Sequence, residues 1–297
     1  MRGKDQVNSS DPVGEAPDDP TLPALAWAGY EEPPGSTEGT VDDALTARRW
    51  WDANATEYLA DHATDLGVAD FTWGPEGLRE ADARLLGDVR GRRILEIGAG
   101  SAPCSAWLAD HGAEVIASDI SHPMLAAGRA ARGRAKEGEV DIPLVQADAR
   151  HLPFAANTVD VVFTSYGVIP FVADLGAVHR EVARVLRPGG RWVFSTTHPV
   201  RWAFPDDPGP EGLTARRSYY DDRPYRERAE DGEALYSEYH RTLEQHVALL
   251  VAAGFAVVDL REPRWQPGRR TWGGWSELRG RTLPGTLILS ARRLVDG

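Results

Sequence analysis

Glu96, Gly98, Gly100 and Asp119 are spaced to hold a ligand that is part sugar and part charged tail. Arg92–Ile97 is a short apolar run ending in Glu96-Ile97, and Gly98-Ala99-Gly100 follows at once. Two glycines at that point let bare backbone approach a ligand and permit the positive φ of a tight turn. About twenty residues later a second run, Glu114–Ser118, ends in Asp119. An acid at that distance from a glycine turn can accept both hydroxyls of a ribose. These residues imply an adenosine-type cofactor. A dinucleotide fingerprint needs a third glycine three positions after Gly100, and Pro103 stands there. Proline suits the first turn of a helix but not the close helix–strand packing that the third glycine provides, which counts against NAD.

The elements needed to position these residues follow from hydrophobic periodicity and punctuation. Strands are expected at Arg92–Ile97, Glu114–Asp119, Ile142–Gln146, Val159–Thr164, Arg191–Thr196, Ala256–Leu260 and Thr286–Ala291. Helices are expected at Val41–Leu59, Pro75–Leu86, Ser101–His111, Pro123–Ala135, Leu175–Leu186 and Glu238–Ala252, with Pro188-Gly189-Gly190 stopping the fifth. Strands alternating with helices predict an α/β fold with a parallel sheet covered on both faces. Residues 198–235 break the rhythm with prolines, charges and the aromatics Trp202, Phe204, Tyr219, Tyr220 and Tyr225. A connection that long is functional or disordered, and its aromatics favour an ordered cover.

The pieces resemble the class I S-adenosylmethionine-dependent methyltransferases, especially the small-molecule enzymes of the methyltransferase type 11 kind. Leu95–Gly100 resembles the glycine-rich first motif, and Asp119-Ile120 the ribose-binding acid and the residue packing on adenine. Gln146-Ala147-Asp148-Ala149 resembles the third motif, Asp160–Ser165 the fourth strand, and Arg184–Gly190 the turn before the fifth. The resemblance implies a Rossmann-like, doubly wound, mostly parallel seven-stranded sheet with an N-terminal helical cap and an inserted lid after the fifth strand. It implies S-adenosylmethionine as cofactor, held by Glu96, Gly98, Gly100, Asp119, Ile120, Asp148, Ala149 and Ser165, with Tyr58 of the cap closing over the methionine end. It divides the chain into an acidic tail (1–40), the cap (41–90), a cofactor-binding core (91–197), the lid (198–235) and a C-terminal part (236–297).

Methyl transfer from a sulfonium is an in-line displacement in which the protein mainly aligns the partners. The candidates on the acceptor side are His198, directly after the fifth strand, His240, on the inward face of the expected Glu238–Ala252 helix, and Tyr166, just past the fourth strand. Trp272-Gly273-Gly274-Trp275 stands to border an acceptor pocket or to form a turn packed by two indoles. Each residue also has a plainer reading. Asp119 could cap a helix at Ser121, Asp148 could serve a turn, Glu96 could meet an arginine, and His198 and His240 could be buried structural histidines.

Composition bounds the rest. The chain has 297 residues and a formal charge of -12, which argues against a general nucleic-acid binder. Half of that charge lies in Met1–Thr40, where eight acids face Arg2 and Lys4. That segment is expected to be disordered, with Leu22, Leu25, Trp27 and Tyr30 docking locally. One cysteine, Cys104, excludes an intrachain disulfide and a cysteine-based zinc site. No apolar run spans a membrane, and a cytoplasmic location is the default. No Asn-Pro-Pro-Tyr-like motif follows the fourth strand, so DNA is not the expected acceptor. The sequence thus leads to a metal-independent enzyme methylating O, N or C of a small molecule. The rivals are a non-catalytic S-adenosylmethionine sensor, a nucleotide-dependent oxidoreductase, and an RNA methyltransferase with an arginine face at Arg261, Arg264, Arg269 and Arg270.

Overall fold

A computed structural model describes residues 23–31, 42–132 and 141–295. In chain order its elements are β1 (Leu25–Tyr30), α1 (Asp43–Leu66), α2 (Glu80–Ala83), β2 (Arg93–Ile97), α3 (Pro103–Asp110), β3 (Glu114–Asp119), α4 (His122–Arg132), β4 (Leu144–Gln146) and β5 (Val159–Ser165). They continue with α5 (Leu175–Val185), β6 (Leu186–Thr197), β7 (Tyr225–Ala229), β8 (Ala234–Glu238), α6 (Leu243–Ala252), β9 (Phe255–Arg261), α7 (Glu277–Gly280) and β10 (Thr286–Arg293).

Seven strands form the main sheet in the order β4-β3-β2-β5-β6-β10-β9. Only β10 runs against the rest, antiparallel to both β6 and β9. Alternate residues feed opposite faces, as the strand repeat requires. Ile94, Val161, Phe163 and Val193 join Phe71, Trp73 and Leu108 on one side. Leu95, Val162, Trp192 and Phe194 join Val178, Val182 and Leu250 on the other. The chain runs outward through β2, β3 and β4, then returns to place β5 on the other side of β2. Ligands bind at such a reversal, beyond the carboxyl ends of the strands.

Three local expectations are corrected. Pro75–Leu86 is not one helix: Gly77 has φ +89°, and only Glu80–Ala83 is helical. The buried Glu80 carboxylate accepts from the Trp73 indole and the Leu85 and Leu86 amides, which fixes a turn instead. The helix expected from Glu238 begins at Leu243, because Ala234–Glu238 is strand and Thr242 and Gln245 form a reciprocal capping box. Within the segment expected to be disordered, Leu25–Tyr30 forms a strand pairing antiparallel with β7. Tyr30 packs edge-on against Trp202 and Tyr225, and Glu31 pairs with Arg226 and Arg228. These contacts offset the cost of ordering the strand. Tyr30 therefore docks, whereas the Leu25 and Trp27 side chains remain exposed; Leu22 lies outside the described residues. β1, β7 and β8 make a separate three-stranded sheet, and Trp50 of α1 packs on Tyr236 of β8.

His179 of α5 and His246 of α6 are buried around Phe194. Burial pushes each imidazole down to about 3. The unfolded chain therefore takes up protons below about pH 6.5 that the folded chain does not. The stability contribution is complete above that pH and is lost as pH falls toward 3. We expect a loss of about 2 kcal/mol per histidine at pH 5, read as a falling urea midpoint between pH 7 and pH 5. The buried Glu96 carboxyl, raised to about 8, works in the opposite direction over that interval, so an equal pH 7-to-5 change in wild type and His246→Gln is the result that would show that the ring does not remain neutral.

Candidate functional site

At the end of β2, Glu96 is 2% exposed. Its Oε2 accepts from the Ser105 amide at 3.1 Å and from the Ser105 hydroxyl, and burial pushes its carboxyl up to about 8. Gly98 and Gly100 follow with φ of +66° and +55°. A Cβ on Gly98 would lie 2.7 Å from Val168 Cγ2, and one on Gly167 would lie 2.9 Å from the Gly98 carbonyl oxygen. The turns after β2 and β5 therefore meet backbone to backbone, where only glycine fits. Ala102 is left-handed, and Pro103 opens α3 in its first turn. On the far side, Gly128 of α4 lets the Ser101 carbonyl approach so closely that a Cβ there would lie 2.3 Å from its oxygen.

Asp119 ends β3 and is 8% exposed. Its Oδ2 accepts from the Gly100 amide at 2.7 Å and its Oδ1 from the Ser121 amide at 2.8 Å. Burial raises its carboxyl despite those bonds. The Ser121 hydroxyl accepts from Met124 N, so Ser121 does the capping once considered for Asp119. Past β4, Asp148 meets the fork of Arg150, whose Nη2 lies 2.8 Å from its Oδ2. Burial pushes Asp148 up, but the guanidinium outweighs it and holds the carboxyl below its ordinary value. Arg150 also reaches Asp43 of α1 at 2.7 Å, so one arginine ties the cap helix to the turn after β4.

Glu96, Gly98, Gly100, Asp119, Ile120, Asp148, Ala149, Ser165, Tyr58 and Tyr166 all line one cavity, with an empty volume of about 1360 Å³ including the part open to solvent. Ser165 donates its hydroxyl to the Thr72 carbonyl at 2.7 Å. Tyr58 stacks on His62, with Trp51 and Trp272 on its other sides. Tyr166 is left-handed at φ +62°, and its amide donates to Ser195 Oγ at 2.9 Å. The two indoles of the Trp272–Trp275 turn part company. Trp272 lines the cavity, while Trp275 packs edge-on against Tyr166 at 5.4 Å.

His198 and His240 are not in this cavity; both line a second, smaller hollow. The chain leaves β6 at Thr197 and turns away into a short 3-10 helix, so His198 Nδ1 accepts from Val200 N and Nε2 donates to Glu262. His240 precedes α6 instead of sitting within it, donates Nε2–H to the Tyr219 carbonyl at 2.8 Å and stacks on Trp202. Tyr219 holds the Leu243 amide with its hydroxyl, and Tyr220 is 78% exposed; neither lines the cavity. Asp43, Asp70, Thr72, Arg150 and Phe171 do line it and were not anticipated. Arg150, two residues beyond Asp148, was the only one with a sequence cue. Among the described residues no cluster of His, Cys, Asp or Glu could hold a metal, and no helix is long and apolar enough to cross a membrane.

Residues 95–194 match a family model described as a methyltransferase domain. The demethylmenaquinone methyltransferase of Mycobacterium sp. (strain KMS) is 34% identical over 253 residues, covering 80% of this chain and 89% of that protein. The enzyme of the same name from Beutenbergia cavernae is 35% identical over 179 residues, 59% of this chain; that match spans 64% of the relative's length, just under two thirds. A solved S-adenosylmethionine dependent methyltransferase from Mesorhizobium loti is 27% identical with a TM-score of 0.56, covering 74% of this chain and 100% of that one. Sheet order, glycine turn and these similarities agree: the chain belongs to the class I S-adenosylmethionine-dependent methyltransferases.

Proposed function

We propose that this protein transfers a methyl group from S-adenosylmethionine to an O, N or C nucleophile of a small organic molecule. The observation that carries this reading is the convergence of Glu96, the Gly98–Gly100 turn, Asp119 and Asp148 on one cavity whose lining also includes Trp51, Tyr58, Tyr166, Phe171 and Trp272. The cradle fits the cofactor. Each Asp119 oxygen accepts one backbone amide and keeps lone-pair capacity for a ribose hydroxyl. Asp148 can accept from the adenine amino group beside Ile120 and Ala149. The bare turn at Gly98 admits the methionine portion, whose ammonium Glu96 can meet.

Bound there, S-adenosylmethionine supplies an electrophilic methyl group on a sulfonium. The chain's own residues align and enclose. Trp51, Tyr58, Phe171 and Trp272 offer faces and edges to a flat acceptor, in keeping with relatives named for demethylmenaquinone. Residues 198–235 take the part of the ordered cover, which His198 ties to Glu262 and His240 holds through the Tyr219 carbonyl and the Trp202 ring. We place the activity in the cytoplasm, since a lone buried thiol, Cys104, suits a compartment that keeps thiols reduced.

Calorimetric titration tests the reading. S-adenosylhomocysteine is expected to bind with micromolar affinity and NAD not at all. Binding of NAD alone, or of neither, would overturn it.

A further inference from the structure

One face of α1 forms a wall of the cavity from the first turn of the helix to the last. Asp43, Ala47, Trp51 and Tyr58 all line the cavity, and at 100° per residue they fall within an arc of about 80°. The first of them is fastened to two other segments. Asp43 is 6% exposed. Its Oδ1 accepts from Arg150 Nη1 at 2.7 Å and its Oδ2 from the Ala173 amide at 2.6 Å. The Ala173 carbonyl is itself held by Arg241 Nη2 at 2.7 Å. Phe171, two residues earlier, packs edge-on against Trp51 at 5.7 Å.

Arg150 turns the rest of its fork to Asp148. Its Nη2 lies 2.8 Å from Oδ2, and its Nε lies 3.2 Å from each carboxylate oxygen. One planar guanidinium thus spans two carboxylates, one on the cap helix and one in the turn proposed to meet adenine. The bridge is unevenly covered. The Asp43 side chain is 7% exposed, that of Arg150 19% and that of Asp148 25%. An ion pair open to water contributes little, and the same pair strengthens once water is excluded. Asp148 and Arg150 both line the cavity. A base seated beside Ile120 and Ala149 therefore covers the more open half of the bridge, and its amino group fixes the Asp148 carboxylate by donating to it.

Building on the methyltransferase reading, we propose that Asp43 and Arg150 are positioning residues that couple the two halves of the site: adenine tightens the Asp148–Arg150–Asp43 bridge, and the bridge sets α1, with Trp51 and Tyr58, for the acceptor. The cofactor then binds before the acceptor, because the acceptor wall is firm only with adenine in place.

Adenosine separates this coupling from direct contact, because it fills the nucleoside end and leaves the methionine end, under Tyr58, empty. Saturating adenosine is expected to slow amide hydrogen exchange across residues 51–59 of wild type by about threefold or more. Asp43→Asn keeps the shape but offers one acceptor oxygen in place of two, so it cannot hold both Arg150 and the Ala173 amide. It should remove most of that slowing, with adenosine affinity falling by no more than the same factor, as linkage requires. Arg150→Lys, whose ammonium cannot span two carboxylates as a fork does, should remove it as well. Asp65→Asn is the control. It cuts the 2.7 Å tie between the far end of α1 and Arg270, outside the adenine path, and should leave the slowing in place. Adenosine binding by each variant also shows that it is folded. Adenosine that fails to bind wild type or binds without slowing this segment, slowing that survives Asp43→Asn, or its equal loss in Asp65→Asn would overturn the inference and leave Asp43 as a structural tie. Failure of wild type to bind S-adenosylhomocysteine, titrated alongside, would overturn the methyltransferase reading itself.

Discussion

Asp119→Ala lowers affinity for S-adenosylhomocysteine by about 1–3 kcal/mol, the cost of a lost buried hydrogen-bond partner. Two effects add in the same direction. The ribose hydroxyls lose their acceptor, and the Gly100 and Ser121 amides lose theirs. The second effect loosens the turn that admits the cofactor, so the upper half of the range is expected. Asp119→Asn separates the two, because its single carbonyl oxygen can hold one amide but not both, and its NH2 donates where a hydroxyl must donate. It should fall between alanine and wild type. Titration with S-adenosylhomocysteine reads all three proteins, and unchanged affinity in Asp119→Ala would remove Asp119 from the ribose.

Gly128→Ala has the second large expected effect, opposite in sign to what helix propensity predicts. In an exposed helix interior the change gains up to about 1 kcal/mol. Here the new Cβ would stand 2.3 Å from the Ser101 carbonyl oxygen and 2.8 Å from its carbon, and backbone cannot rotate aside as a side chain can. Either α4 moves away from the sheet or the turn after Gly100 moves into the cavity. Overpacking of this kind costs about 1–3 kcal/mol, enough to outweigh the propensity gain. A lower urea midpoint and weaker S-adenosylhomocysteine binding are expected together. A midpoint equal to or above wild type would mean that the approach of Ser101 to α4 is not tight in solution.

The same glycine shows what the sequence could and could not convey. Pro103 in place of a third fingerprint glycine argued against a dinucleotide, and the chain indeed opens α3 there. That close backbone packing had been supplied from α4, nearly thirty residues away, left no local trace, because only folding brings Ser101 and Gly128 together. The seven strands were legible because each is a short apolar run bounded by turn residues, and β3 was read to the residue, Glu114–Asp119. The cavity-lining residues from Glu96 to Ser165 were legible for a similar reason: they stand at or just past the carboxyl ends of strands, where topology sends them to the switch point, whereas Tyr58 reaches the cavity from α1. His198 and His240 were misplaced because strand ends and helical periodicity were extended across a segment with its own rules. The Thr242-x-x-Gln245 pattern was available to start α6 two residues past His240 and would have removed that histidine from the helix. Asp43 and Phe171 could not have been found, since only the Arg150 bridge and the packing of Trp51 bring them to the cavity.

The pairing of β1 with β7 sets the order in which this chain can be completed. Leu25 meets Ala229 and Tyr30 meets Tyr225, so β1 leaves the ribosome about 200 residues before its partner. The parallel strands β2 to β6 have emerged by then, although β6 still waits for its outer neighbour β10. The small sheet of β1, β7 and β8 must wait, and through Trp50 and Tyr236 it backs the helix that carries Trp51 and Tyr58. During synthesis the glycine turn after β2 is therefore made first, and the helix that brings Trp51 and Tyr58 to the cavity gains its backing only once β8 has followed.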